Sequence, residues 1–349
     1  MNANPDHIPG KFPHLSRPNY IGDFGTDFRE KKVHPGRSRV RYLYEKYVNK
    51  TDLHLDLNRG LDVFDPKPDE DEHLDGLLRY IMTISEPKAH LKKVLHGADV
   101  VSWRGTLTRI GASPFDALNS DGWRVLCSKF NDVVFLCELS TSQKLSNNGK
   151  KTAREKRMTY WGYKFEQYTT VDHENEVPNT NVPVSTMSNY SAVFRFDMGN
   201  RIDNTKIRIF TGAEMDCLNE KGEFIELKTQ FNQIGVGRYW YQKEMKWWLQ
   251  SFLVGIDTIV AGLRDDNGII KEIKAVKVND LARHPTGWDP AVCLNFLLSF
   301  LVKVRSELRE GQDLIAEFDP RTKGIAFTPT TEHDKENAFI HGFKENFHI

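Results

Sequence analysis

Between Lys206 and Phe231 apolar and acidic residues alternate, and a chain with that pattern has few ways to fold. Ile207, Ile209, Met215, Phe224, Ile225 and Leu227 supply β-favouring or apolar positions on either side of the turn sequence Asn219-Glu220-Lys221-Gly222. Two strands joined by the three-residue loop Glu220-Lys221-Gly222 satisfy both, with glycine where a left-handed backbone is needed. In that register Asp216 lies opposite Glu226, and Glu214 opposite Lys228. Side chains two apart share a strand face, which groups Glu214 with Asp216 and Glu226 with Lys228. Three carboxylates and a lysine then converge within ~5 Å across the ladder. Carboxylates so close repel one another unless a cation stands between them, and hard oxygen donors suit Mg2+ or Mn2+ rather than zinc. A solvated strand face with Glu and Lys paired across the ladder fits the same spacing. Glu166, at the end of another strand-like segment, weighs toward the metal.

Composition narrows the class. With 39% hydrophobic, 28% charged and 11% aromatic residues among 349, the chain has the make-up of a soluble globular protein. No apolar run reaches the ~20 residues that cross a bilayer. The start Met1-Asn2-Ala3-Asn4-Pro5-Asp6-His7 lacks the apolar core of an export signal. Cys127, Cys137, Cys217 and Cys293 are scattered and form no C-x-x-C pair, which speaks against zinc or a disulfide framework and for a reducing compartment. A formal net charge of +0 argues against strong non-specific DNA binding. It leaves room for a local basic channel leading to an acidic, metal-filled centre.

A single α+β domain over 1–349, built on a largely antiparallel or mixed sheet, is expected; there is no internal repeat and no linker. Residues 1–40 read as an extended arm laid on the surface. Asp69–Glu72 open a helix that turns Leu74, Leu77, Leu78 and Ile81 inward. Asn131-Asp132 turns a hairpin, and the polar, basic stretch 146–157 reads as a solvated loop, with RNA-backbone contact or nuclear targeting as its functional readings. Strands are expected at 159–169, 191–198 and 206–230, and a helix over 239–254 with its tryptophans in the core. Gln250 on that helix carries an amide able to reach a phosphate. A hairpin turns at Asp265–Gly268, and a long helix starts at Asp289-Pro290. G-x-S-x-G, Walker and H-E-x-x-H motifs are absent.

Five motifs in order carry a resemblance: Trp103-Arg104-Gly105, Gly162-Tyr163-Lys164-Phe165-Glu166-Gln167-Tyr168, Glu214-Met215-Asp216, Glu226-Leu227-Lys228 and Lys246-Trp247-Trp248-Leu249-Gln250-Ser251-Phe252-Leu253. The set resembles the DXO family of decapping exoribonucleases, from Arg17-Pro18 to the last long helix. The resemblance implies two packed mixed sheets surrounded by helices, with a PD-(D/E)xK nuclease-like core, and divalent-metal hydrolysis at RNA 5′ ends. It implies removal of NAD caps, incomplete guanosine caps and 5′-triphosphates, leaving 5′-monophosphate RNA, with 5′–3′ degradation to follow. Carried over, Glu166, Glu214, Asp216, Glu226 and the Leu227 carbonyl would hold two Mg2+ or Mn2+ ions. Glu166, Asp216, Glu226 and Lys228 would form the catalytic set. Lys228 and Gln250 would contact the scissile phosphate, and Arg104, with Trp103 and Gly105, the RNA end. Glu72 would lie near the cap or 5′ nucleotide, and Glu214 would also face substrate. The expected mechanism is two-metal in-line attack by water. The expected partner is the RNA 5′ end, bound by a monomer in the nucleus, with the cytoplasm as a second compartment and no membrane. Two other readings stay open: a non-catalytic stabilising partner of a 5′–3′ exoribonuclease, and a duplex-DNA nuclease.

Overall fold

The computed structural model describes residues 1–148, 151–200, 204–283 and 285–348. Two β-sheets frame those residues. The larger has ten strands. Across it run Gly324–Pro329, Asp313–Asp319, Trp123–Phe130, Val133–Leu139, Val100–Trp103, Thr205–Glu214, Ser188–Asn200, Asn19–Asp27 and Lys32–Pro35, with His14–Leu15 beside Ser188–Asn200. The smaller has seven: Leu55–Asp56, Ile269–Lys277, Thr258–Arg264, Phe224–Phe231, Cys217–Leu218, Tyr42–Leu43 and Thr170–Val171. Both are mixed. Val100–Trp103 is parallel to each neighbour, and Phe224–Phe231 is parallel to Thr258–Arg264 but antiparallel to Cys217–Leu218.

Helices flank both sheets, giving the expected α+β architecture. The segments Trp240–Phe252 and Pro290–Glu307 pack Trp247, Trp248, Leu249, Leu297 and Phe300 against Val100 and Ile209 of the larger sheet and Ile259 and Ala261 of the smaller. The tryptophans are core, as their spacing predicts. Asp289 caps the long helix, its carboxylate accepting the amides of Ala291 and Val292, with Pro290 in the first turn. Leu74, Leu77, Leu78 and Ile81 cover the other face of the larger sheet. Their helix is Asp75–Thr83, so Asp69–Glu72 precede it rather than begin it.

Four further expectations need correction. Residues 159–169 are not a strand; they belong to the helix Ala153–Thr169, which covers the outer face of the smaller sheet. Its aromatic residues favour strands singly, but Tyr160, Trp161, Phe165 and Tyr168 recur at helical spacing and are all buried. A reciprocal Thr152–Glu155 capping box starts it. Positions 153–157 of the basic stretch are therefore helical, as are 146–148 at the end of the helix Ser142–Asn148, while 149 and 150 lie outside the described residues.

The hairpin is shorter than expected. Thr205–Glu214 pairs within the larger sheet, and the chain passes to the smaller one at Met215-Asp216. Only Cys217–Leu218 faces Phe224–Ile225, in the register predicted. Asn219 N–H closes the loop on Glu223 O at 2.9 Å, and Gly222 has φ 73°. The crossing is fixed by Met215, whose side chain packs with Tyr190, Ala213 and Ile256 where the sheets meet. Nor is 1–40 wholly a surface arm, because Asn19–Asp27 is a full strand. Its glycines read as loop but serve close packing: a Cβ on Gly22 would come within 2.3 Å of Tyr80 Oη.

Asp99 anchors the strand that leads into Trp103 and Arg104. Fully buried, it accepts Arg208 N, Nε and Nη2, each at 2.9 Å, and pairs with Arg305 at 3.0 Å. Burial acts to raise its carboxyl, but the Arg208 hydrogen bonds and Arg305 hold it below the ordinary value. A depressed native pKa gives stability that is present above the unfolded value and lost as pH falls through the native one. Asp99→Ala is expected to cost about 1–3 kcal/mol at neutral pH, because it removes the buried acceptor of Arg208 and Arg305, whose guanidinium groups are about a third exposed and stay solvated. Urea unfolding measures this.

Candidate active site

The acidic centre lies where the sheets meet. Glu214 ends one strand, Asp216 rides the crossing, and Glu226, Leu227 and Lys228 lie on Phe224–Phe231. Arg104 opens the helix Arg104–Ala112, Glu166 comes from Ala153–Thr169 and Gln250 from Trp240–Phe252. The pleat turns Glu226 and Lys228 to one face and sends the Leu227 side chain into the core with Phe165 and Val260.

Glu226 is the hub. It is 1% exposed, and its Oε2 accepts Arg104 Nη1 at 3.0 Å while its Oε1 accepts Lys228 Nζ at 2.5 Å and Gln250 Nε2 at 2.8 Å. The other Arg104 nitrogen donates to Glu214 O at 3.0 Å. Asp216 Oδ2 accepts the Leu227 amide at 2.6 Å.

Charge is unevenly shared among these groups. Burial acts to raise Glu226, but Lys228 and Arg104 outweigh it and hold the carboxyl below its ordinary value. Burial, then Glu226, pushes Asp216 up to about 7 against the pull of Lys228 and the Leu227 amide. Burial, Asp216 and Glu214 push Glu166 well above the usual range. Burial also raises Glu214, with Lys67 opposing and Glu72 adding to it. Lys228 loses by burial but is held above its ordinary value by Glu226 and Asp216. Four carboxylates thus face Arg104 and Lys228, with Lys67 shared between Glu214 and Glu72.

That excess of desolvated, mutually repelling oxygen donors fits a hard divalent cation. Among the described residues, no three His, Cys, Asp or Glu side chains are gathered as a finished metal site. Instead Glu226 is turned to Arg104, Lys228 and Gln250, and Asp216 to the Leu227 amide.

Beside the centre is a cavity of about 420 Å³ whose lining includes Glu72, Trp103, Arg104, Gly105, Glu214 and Gln250. These are all the expected substrate residues except Lys228, which shares Glu226 Oε1 with Gln250. Glu214 opens to the cavity while protein surrounds it on the other sides, so it is exposed to solvent yet strongly desolvated. Trp103 Nε1 donates to His73 O at 2.9 Å, and its ring lies over Gly212, where a Cβ would come within 2.6 Å.

Three residues escaped the sequence reading. Lys67 forms an ion pair with Glu72 and feels Glu214; its position between Pro66 and Pro68 marks a stiff segment but not its target. Tyr163 sits near Glu214 and Glu166, inside a motif from which only Glu166 had been assigned. The Ser191 hydroxyl, 1% exposed and opposite Glu214 in the ladder, lines the cavity without a protein hydrogen-bond partner.

The family model described as RAI1 like PD-(D/E)XK nuclease matches residues 16–342. The chain belongs to that family. Decapping nuclease dom-3 of Caenorhabditis elegans is 36% identical over 346 residues, covering 96% of this chain and 86% of that protein. Among solved structures of the RAI1 group, Scheffersomyces stipitis Rai1 in complex with (3′-NADP)+ and calcium ion matches with TM-score 0.78 and 19% identity, covering 96% of this chain and 97% of that one. Candida albicans Rai1 in complex with pU5-Mn2+ matches with TM-score 0.78 and 19% identity, covering 99% and 97%. These two likenesses concern the fold of the RAI1-like family member described here.

Proposed function

We propose that the chain is a metal-dependent hydrolase of RNA 5′ ends. It removes NAD caps, incomplete guanosine caps and 5′-triphosphates, leaves 5′-monophosphate RNA, and continues 5′–3′ into the exposed strand. The observation that carries this reading is the carboxylate hub at Glu226, joined through Gln250 to a cavity that ends on Arg104 and Trp103. The relatives add support: one is called a decapping nuclease, one Rai1 structure holds (3′-NADP)+ with calcium, and another holds pU5 with Mn2+.

On this reading Glu166, Glu214, Asp216, Glu226 and the Leu227 carbonyl hold two Mg2+ or Mn2+ ions. Such ions, when bound, lower the pKa of a water and offset charge on the leaving oxygen. Lys228 and Gln250, both already on Glu226 Oε1, are placed to share their donors with a scissile phosphate beside it. Lys228 stays charged and adds positive potential where the transition state gathers negative charge. Arg104 and Gly105 form the start of a helix on the cavity wall, a setting that favours an anionic RNA end. Glu72 and Trp103 bound the space for the 5′ nucleotide.

RNAs of one sequence carrying NAD, guanosine, triphosphate or monophosphate ends test the proposal. With Mn2+, capped and triphosphate RNAs should yield 5′-monophosphate RNA, and EDTA should stop the reaction. Turnover of duplex DNA with no dependence on the RNA 5′ end would overturn it.

A further inference from the structure

Beyond Lys228 a line of cations leaves the acidic centre. Glu226, Lys228 and Gln230 share one face of their strand. Gln230, 5% exposed, accepts Lys243 Nζ at 2.9 Å. Lys243 lies two helical turns before Gln250, on the same side of Trp240–Phe252. It is exposed, its partner is a neutral amide, and no carboxylate among the described residues forms an ion pair with it. Phe231 ends the strand one residue past Gln230, on its other face, and is 40% exposed, its ring centre 6.0 Å from the Arg264 guanidinium. Arg264 also lies 4.6 Å from the centre of the Trp161 ring. Trp161 shares a helix face with Arg157 and Arg154, one and two turns earlier.

These cations crowd one another. Burial, then Arg264, pushes Lys243 below its ordinary value; burial lowers Arg264 too, with Arg154 adding to it against Asp266 and Asp265. The helix that carries Arg154 and Arg157 projects from the molecule, with every residue from 151 to 159 exposed. Its capping box fixes the projecting end. Arg157 lies nine residues before Glu166, or ~14 Å along the axis. The net charge of the whole chain is +0, so this concentration of positive charge is local.

We propose that single-stranded RNA on the 3′ side of the cleaved bond follows this track, from Lys228 past Lys243 and the exposed Phe231 ring, which the buried Arg264 supports, to Arg157. The proposal rests on the reading of the centre as an RNA 5′-end hydrolase. Cations alternating with an exposed aromatic ring suit a strand of any sequence: phosphates meet the charges and a base stacks on the ring. An acidic protein segment would use the charges but has no need of a ring between them or of continuity with Lys228.

The test compares 5′-monophosphorylated oligouridylates of about 4 and about 20 nucleotides, the span of single-strand site sizes. Binding is followed by fluorescence anisotropy in Ca2+ over a range of salt concentrations. The unaltered protein should bind the longer RNA about tenfold tighter or more, with a steeper salt dependence. The double variant Lys243→Gln, Arg157→Gln should lose that length advantage, its log–log salt slope shallower by about 1.4, at ~0.7 per phosphate contact. Phe231→Ala should weaken the longer RNA by about tenfold with the slope unchanged. The charge-keeping pair Lys243→Arg, Arg157→Lys should restore the advantage, which a merely structural role would not predict. A length advantage that survives the double variant, or a variant that weakens both RNAs equally, overturns the track. Binding and cleavage of the short RNA with no gain from length also overturns the track alone. Failure of the unaltered protein to bind or cleave any RNA overturns the reading of the centre.

Discussion

Glu226→Gln is expected to lower hydrolysis of capped RNA by about 10³-fold or more and to remove most Mn2+ affinity. Glu226 takes donors from three different elements, through Arg104, Lys228 and Gln250, so losing its charge unsettles the groups proposed to face phosphate together with the proposed metal donor. Stability should change far less than activity. Asp216 is pushed up largely by burial and by Glu226 itself, and Lys228 and Arg104 already draw it toward ionisation. With the Glu226 charge gone, Asp216 ionises more readily and takes over part of the pairing. The unfolding free energy in EDTA should therefore fall by less than the stranding of two buried cations implies, about 1–2 kcal/mol rather than the 3–5 of a broken buried pair. Mn2+ titration calorimetry, single-turnover cleavage and thermal unfolding separate these effects. Turnover within tenfold of the unaltered protein would remove Glu226 from the centre.

Asp216→Asn should do the reverse to stability while also abolishing turnover. The Asp216 carboxyl sits at about 7 against an ordinary 3.8. A raised native pKa gives stability that is complete below the unfolded value and is lost as pH rises through the native one. In EDTA the unaltered protein should therefore weaken between about pH 4 and pH 8, and Glu166, raised as well, adds to the trend. Three units at 1.36 kcal/mol each set an upper bound of about 4 kcal/mol, which coupling to Glu166 reduces to about 1–2. Asparagine keeps an oxygen for the Leu227 amide and drops the charge, so the variant should melt higher than the parent at pH 8 in EDTA. Mn2+ should reverse the order, because it stabilises only the protein that binds it. A variant that melts lower at pH 8 in EDTA would show that the carboxylates do not oppose one another.

Much of this centre was legible because its parts are local. The turn at Asn219–Gly222 and the opposition of Cys217 to Ile225 follow from turn chemistry and period two. What the hairpin hid was the change of sheet at Met215-Asp216. That depends on Met215 packing among Tyr190, Ala213 and Ile256, residues from distant parts of the chain. Glu166 was placed with the right neighbours on the wrong element, because aromatic residues with high strand propensity masked a helical spacing that the Thr152–Glu155 box confirms. The strand Asn19–Asp27 was missed for a related reason: Gly22 and Gly25 break the alternation yet allow Tyr80 and Arg39 to come close. The roles of Arg104, Glu72 and Trp103 came only with the family resemblance, whereas Gln250 stood out as an amide on its helix able to reach a phosphate; the structure brings all four to one cavity. Lys67 had no local signal at all; its roles at Glu72 and Glu214 exist only in three dimensions.

In the proposed reaction water attacks a phosphorus of the RNA chain beside Glu226. Cleavage of NAD-capped RNA in H2(18O) with Mn2+, followed by mass spectrometry of both products, tests it most directly. Attack at the phosphate after the first nucleotide breaks the P–O3′ bond, places one 18O on the 5′-phosphate of the shortened RNA, and releases the cap nucleotide as intact, unlabelled NAD with a free 3′-hydroxyl. Label in a released mononucleotide, with the pyrophosphate of NAD cut, would contradict the account.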